Sequence, residues 1–337
     1  MLKNLDVNIN YWLVRTSDGD NYDEFVADNF IAIGWNEIAD LDLIRESASN
    51  ENKREELKNK ITAILKQPDE KENKKQSGLI LNYVDKFVNI MKINDIVLIP
   101  SKGSNLIEFG IIESDAYIFE KKFFSPEDDE CDFIKRRKVK WIHREKRSRL
   151  DPYLYRLLYR HNTISDANDY AHNIDRTVNK FYIKENKAHF ILEVRRESEI
   201  FLSEMADLMS NTLNIVDHFN EAMGTTYDKR KIQMQMNVQS PGFLEIFGHI
   251  ETIFIIASAY SAIFGGKIKI PGFQFETEGA LEKIKEFSET NMKYKLENKK
   301  LALRENLIAL DVDIPPELIV NTYDDKSEDD AHNLYNE

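Results

Sequence analysis

The chain is short of cysteine, of positive charge and of long apolar runs, and each shortage removes a class of function. A single cysteine, Cys131, in 337 residues excludes an internal disulfide framework and a thiolate-rich zinc site, so a reducing, cytoplasmic setting is the expectation. Lys and Arg number 46 against 59 Asp and Glu, a formal net charge of −13, which is the wrong sign for a protein that coats nucleic acid indiscriminately. The longest uncharged run, Thr252–Phe264, falls short of the roughly 20 apolar residues that a bilayer-spanning helix takes. It reads as a buried helix, and no export signal or membrane partner is expected. The seven histidines are scattered, with no two on adjacent helical turns and no cysteine beside them, so no metal is assigned. There is no phosphate-cradling glycine loop or nucleophile elbow, and therefore no catalytic residue or cofactor to name.

What is present describes a folded protein: 42% of residues are hydrophobic and 11% aromatic, and the length suits two domains. Strand patterns fall at Asn10–Thr16, Phe30–Trp35, Ile96–Pro100, Ile107–Ile112 and Lys138–His143, with helical periodicity over Arg54–Lys66 and Leu79–Met91. Five short strands with flanking helices predict a small N-terminal β-barrel over residues 1–150. A lysine-rich hinge (Gln67–Ser77) separates the two helices, and Phe124–Asp132 reads as an acidic loop. Residues 151–177 read as a connector.

From 178 to 322 the pattern is that of an α+β domain. It has strands at Lys180–Lys184 and Ala188–Val194, a helix over Ser198–Ala222, and an alternating strand at Lys231–Gln239 that turns at Ser240–Gly242 into a partner at Phe243–Gly248. After the buried helix come the turn glycines Gly265 and Gly266, a strand at Lys267–Ile270, the pair Pro271–Gly272, and a long terminal helix over Glu278–Leu307. The acidic segment 323–337 is expected to be disordered. The fold class expected for the whole chain is α+β.

Two of the three tryptophans lie in the first 35 residues, in Tyr11-Trp12-Leu13-Val14-Arg15 and Ile31-Ala32-Ile33-Gly34-Trp35. Paired aromatics at strand ends can form a slot for a flat ligand such as a nucleobase, and they can equally fill a core. A basic run, Lys135–Arg149, concentrates positive charge around Trp141. It suits a phosphate backbone, and a solvated or salt-bridged strand accounts for it as well.

The order of these pieces resembles the PUA/EVE-like domains attached to some modification-dependent restriction-type proteins. The resemblance runs through residues 8–145: aromatic-x-Val-Arg, Ala-Ile-Gly-Trp, a helix, Asn94-Asp-Ile-Val-Leu-Ile-Pro-Ser-Lys102, Phe109-Gly-Ile-Ile followed by Tyr117, and Arg136-Arg-Lys-Val-Lys-Trp141. It implies a small β-barrel with an aromatic pocket for a flipped, often modified base, in a prokaryotic defence setting. Carried over by matching position, the motif residues are Trp12, Arg15, Gly34, Trp35, Pro100, Ser101, Lys102, Tyr117 and Trp141. The expected base pocket is Trp12, Arg15, Trp35, Ser101 and Tyr117. The expected phosphate contacts are Lys102, Lys135, Arg136, Arg137, Lys138 and Lys140.

The leading expectation is thus a nucleic-acid-sensing binding protein, with DNA favoured over RNA, rather than an enzyme. A metal-dependent nuclease subunit using Glu193 and Glu245 is one alternative. The other is an oligomerising or signal-sensing protein that pairs with a second copy or a protein partner through the C-terminal region.

Overall fold

The computed structural model describes residues 3–65, 70–120, 131–196, 198–237, 242–263, 280–287 and 297–313. The chain divides into two units, one built from residues 8–178 and the other from residues 1–7 and 179–337. The first is therefore an insertion within the second. The architecture is mixed α+β, with one sheet curled into a half-barrel. No helix among the described residues is long and apolar enough to cross a membrane.

The first described strand, β1 (Lys3–Asn4), belongs to the flanking unit, where it pairs in parallel with β9 (Phe181–Lys184). The inserted unit holds β2 (Tyr11–Val14), β3 (Phe30–Ile33), β4 (Ile96–Pro100), β5 (Leu106–Ile112), β6 (Tyr117–Ile118), β7 (Lys135–Lys146) and β8 (Ile164–Asp166). These join in the order β3-β7-β5-β4-β2-β8, with β6 on β7. Strands β2 and β4 run parallel, Trp12 opposite Val97. The helices are α1 (Tyr22–Ala27), α2 (Leu41–Ser47), α3 (Glu51–Leu65), α4 (Glu70–Asp85) with a π turn at Lys86–Ile90, α5 (Tyr155–Leu158) and α6 (Ala171–Val178).

Strand β2 reads as an unbroken apolar run because both of its faces are covered. Trp12 and Val14 enter one core with Ile31, Ile33, Leu57, Val84 and Phe87. Tyr11 and Leu13, alternating to the other face, enter a second core with Leu98, Phe109, Leu154, Leu157 and Ile174. That second core corrects the reading of 151–177 as a connector: the segment packs under the sheet, and its strand β8 pairs with β2. The lysine-rich hinge is likewise helical from Glu70 onward, in α4; residues 67–69 lie outside the described residues. Gly110 sits at a register shift in the β5–β7 pairing. A Cβ there would fall 2.3 Å from Val139 and 2.6 Å from Trp141, so only glycine fits.

The flanking unit adds β10 (Lys187–Val194), α7 (Leu202–Met223), β11 (Gln233–Asn237), β12 (Gly242–Gly248), α8 (Ile250–Ile263), α9 (Ala280–Glu286), α10 (Glu297–Ala309) and β13 (Val312–Asp313). Its sheet runs β1-β9-β10-β12-β11, with β13 on β10. One face, with Phe190, Leu192, Leu244 and Ile246, packs with α7 and α8 through Leu208, Val216, Phe219 and Phe254. The expected long terminal helix is described in two parts, α9 and α10. The turn glycines Gly265, Gly266 and Gly272, the strand at Lys267–Ile270, the acidic residues Glu127–Glu130 and the segment 323–337 lie outside the described residues.

The first residues of β7 are cations, and three of them are buried. Arg137, fully buried, donates through Nε to the Phe87 carbonyl (2.7 Å), through Nη2 to those of Val88 (3.1 Å) and Met91 (2.9 Å), and through Nη1 to that of Ser114 (2.8 Å). Helix ends leave carbonyls without intrahelical partners, and this one guanidinium answers those around the π turn. Lys135, also fully buried, donates to the Trp35 carbonyl at 2.6 Å. Burial pulls its pKa down to about 8, against the opposing pull of Glu37.

Removing the Arg137 guanidinium strands several buried acceptors at once. Arg137→Met should lower the unfolding free energy by on the order of 3–5 kcal/mol, read as a lower urea midpoint, and Arg137→Lys should rescue little of it because one ammonium cannot span four carbonyls. Lys135 predicts a pH effect. With its folded pKa near 8 and its unfolded value near 10.5, the unfolded chain holds more protons between these limits, so stability rises with pH there. Wild type should therefore gain on Lys135→Met by on the order of 3 kcal/mol across that window, and parallel stability curves would contradict it.

Candidate functional site

Two turns of the inserted unit meet because the strands before them are parallel neighbours. Strand β2 leads into Ser17–Gly19 and β4 into Lys102–Ser104, so both turns leave the same end of the sheet. They approach so closely that a Cβ on Gly19, whose φ is +104°, would lie 2.3 Å from the Lys102 backbone. Thr16 ties them further, its hydroxyl donating to the Pro100 carbonyl at 2.6 Å. Lys102 itself is exposed beside Asp20, 3.7 Å away.

Against these turns lies a pocket of about 560 Å³, within the roughly 300–1,000 Å³ of small-ligand sites. Trp35 and Phe133 supply its aromatic surface, Arg15 and Asp18 its charges, and Tyr159, His161 and Thr163 part of its rim. Gly34 keeps room for Phe133, whose ring would stand 3.2 Å from a Cβ. Trp35 stacks on Tyr83, ring centroids 5.9 Å apart and planes 16° from parallel.

Each aromatic is fixed through its own backbone by a cation of β7. Lys135 holds the Trp35 carbonyl. Arg136 holds the Phe133 carbonyl at 2.9 Å and that of Cys131 at 3.1 Å. The Arg136 guanidinium lies between the rings of Phe30 (3.9 Å) and Phe119 (4.0 Å), with Glu24 at 3.6 Å. Lys135, Arg136 and Arg137 are therefore corrected from phosphate contacts to internal staples. Lys138 and Lys140 alternate outward and are exposed.

Arg15 is positioned as tightly. Its backbone amide donates to the Thr163 carbonyl at 2.9 Å. Its side chain donates through Nε and Nη2 to the Arg160 carbonyl (3.2 and 2.6 Å) and through Nη2 to that of Leu158. Partial burial lowers its pKa, opposed by the Asp18 carboxylate; the guanidinium keeps its charge at neutral pH.

Of the expected base-pocket residues, the structure brings Arg15 and Trp35 together and leaves three elsewhere. Trp12 is a core residue whose indole Nε1 donates to Asp95 Oδ2 at 2.8 Å. That carboxylate also accepts from the backbone amides of Asn10 and Lys92, each at 2.9 Å. The Ser101 hydroxyl accepts from the Leu106 amide at 2.9 Å and closes a turn. Tyr117 is half-buried opposite Arg136 on β6. Trp141 packs against the core and donates to the Phe25 carbonyl at 3.0 Å.

Phe133, Tyr159, His161 and the Ser17–Asp18 and Gly103–Ser104 turn residues were missed. The two turns carried a signal, since each follows a strand and is rich in Ser, Asp and Gly. Nothing in the local sequence marks Phe133 or Tyr159.

Of the nine non-glycine residues in the left-handed backbone region among those described, Ser17, Asp18, Trp35 and Ser104 line this one pocket. Backbone strain gathers at functional sites because the surrounding fold must hold it in place. A φ of +57° on a tryptophan is costly for so bulky a residue.

A family model described as a domain of unknown function (DUF8426) matches residues 10–166. The match begins one residue before β2 and closes with β8, so it contains every pocket residue. No curated protein matches the chain.

The acids of the nuclease alternative lie in the flanking unit. Glu245 is fully buried with its Oε1 2.7 Å from His189 Nδ1, and that imidazole is stacked between Tyr182 (4.6 Å) and Phe247 (5.4 Å). Glu193 pairs with Lys180 and, at 3.5 Å, with Arg195. Among the described residues no three His, Cys, Asp or Glu side chains form a grouping that could hold a metal.

Arg15 holds the pocket rim through carbonyls rather than side chains. Arg15→Ala should therefore speed amide hydrogen exchange across residues 159–163 while leaving β4 and β5 protected. Unchanged exchange in that stretch would show that the rim is held by other contacts.

Proposed function

We propose that the inserted unit is a nucleic-acid-sensing module whose pocket receives one unstacked base. The observation that carries this reading is the strained Trp35, held in the left-handed region on Tyr83 beside Phe133 and Arg15. Stacking on aromatic faces tolerates any base and contributes about 1–3 kcal/mol. The polar groups suit a base edge, since Arg15 donates and Asp18 accepts, and base edges present both kinds of partner. A site for phosphate alone would not place a carboxylate beside its arginine. Nη1 of Arg15 makes no hydrogen bond among the described residues, which leaves donors for a ligand. The PUA/EVE resemblance extends this reading to a flipped, modified base in DNA and to prokaryotic defence.

Anisotropy titrations of the full chain against single-stranded, duplex and base-modified DNA test it. Trp35→Ala should weaken binding about tenfold to a hundredfold, and Gly34→Val should do the same by displacing the Phe133 ring. Trp12→Phe, a core change, should leave affinity per folded molecule unaltered. Binding at low salt that ignores Trp35→Ala would remove the pocket from the reading.

A further inference from the structure

The base pocket does not end where its aromatics end. One wall, Gly103–Ser104, continues into Asn105 and Leu106, and the other, Leu158–Tyr159, continues back to Tyr155. Those continuations line a second recess of about 430 Å³ together with Lys146, Arg147 and Ser148. Arg147 stands at the junction. Its guanidinium lies 5.1 Å from the Tyr155 ring centroid and 5.3 Å from that of Tyr159, and its Nη2 donates to the Tyr159 hydroxyl at 2.9 Å. Tyr159 is 64% exposed, so this large ring is held in place by an arginine rather than by burial.

The charge of this stretch runs against that of the chain. Residues 144–160 carry six cations (Arg144, Lys146, Arg147, Arg149, Arg156 and Arg160) and two carboxylates, Glu145 and Asp151, in a protein of net charge −13. Both carboxylates have partners. Glu145 lies 3.5 Å from His143, and Asp151 pairs with Arg176 and accepts from the Tyr153 amide at 2.7 Å.

We infer that the two recesses form one groove for a single-stranded oligonucleotide, with a base at Trp35 and the adjoining nucleotide at Tyr155, its phosphate on Arg147 and Lys146. This rests on the base-pocket reading and adds the ligand's length and strandedness. Arginine beside exposed tyrosine supplies what successive nucleotides require, a cation for each phosphate and a ring for each base. A duplex offers no unstacked base and must first be opened, at a cost of a few kcal/mol. The excess of carboxylates in the rest of the sequence disfavours a strand bound outside this groove.

The test compares a nucleoside monophosphate with single-stranded oligonucleotides of increasing length, using the full chain in competition anisotropy at several salt concentrations. Affinity should rise about tenfold or more from the mononucleotide to a short oligonucleotide. Arg147→Ala should remove that gain and lower the salt slope by about one, weakening the mononucleotide as well because it releases Tyr159. Lys146→Ala, which touches only the second recess, should reduce the gain and leave mononucleotide binding unchanged. The Tyr155 hydroxyl bonds the Arg147 backbone carbonyl at 2.8 Å, which alanine retains, so the recess keeps its shape. Arg147→Lys should restore the salt slope and only part of the affinity. Equal affinity for mononucleotide and oligonucleotide, or a gain indifferent to Arg147→Ala, would overturn the groove and spare the base pocket. Failure of the wild type to bind either ligand would overturn both.

Discussion

The inserted unit depends on buried cations meeting backbone carbonyls. Three consecutive residues at the start of β7 each turn a long positive side chain inward, and their hydrogen-bond partners are carbonyl groups, with one carboxylate, Glu24, near Arg136. A carbonyl at the end of a helical turn carries partial negative charge without a compensating donor. A guanidinium or ammonium brought to several of them is solvated by the fold in place of water. Arg137 thereby fixes the end of α4 to the sheet, and Lys135 and Arg136 fix the backbone of Trp35 and Phe133. The charged run is a structural element that happens to end where the pocket begins.

Core and site are thus parts of one arrangement. The parallel pairing of β2 and β4 brings two turns together, the turns adopt left-handed backbone, and the β7 cations hold two aromatics beside them. A left-handed tryptophan costs free energy, and the carbonyl bond from Lys135 is one of the contacts that offset it. The backbone of the pocket is thus held by the fold itself, and a ligand bound there would meet less ordering entropy than in a loop free to move.

Much of this was legible in the sequence, and the parts that were not have physical causes. Periodicity located β2 to β5, α3 and the second half of α4, because a strand or helix with a buried face writes its period into its residues, while the short α1 and α2 went unread. Trp12 could not be told from Trp35 this way: each belongs to a short apolar-aromatic run, and only the covering of both faces of β2 makes Trp12 core. Basic residues read as solvent-facing because buried cations are rare; what reverses the expectation at Lys135–Arg137 is carbonyls supplied from distant positions such as Phe87 and Trp35. Residues 151–177 looked like a connector since their helices and strand are short, and their place under the sheet is set by long-range contacts. Phe133 and Tyr159 joined the site for the same reason, through neighbours that are remote in sequence.

The pairing of β1 with β9 has a consequence for biosynthesis. The sheet of the flanking unit brings together a strand made before the inserted unit and one made after it. On the ribosome the pocket-bearing unit has all of its residues by 178, while β1 waits for its neighbour. Folding of the two units is therefore ordered in time by topology, and the inserted unit leaves and rejoins the flanking sheet at adjacent strands, as an excisable cassette would.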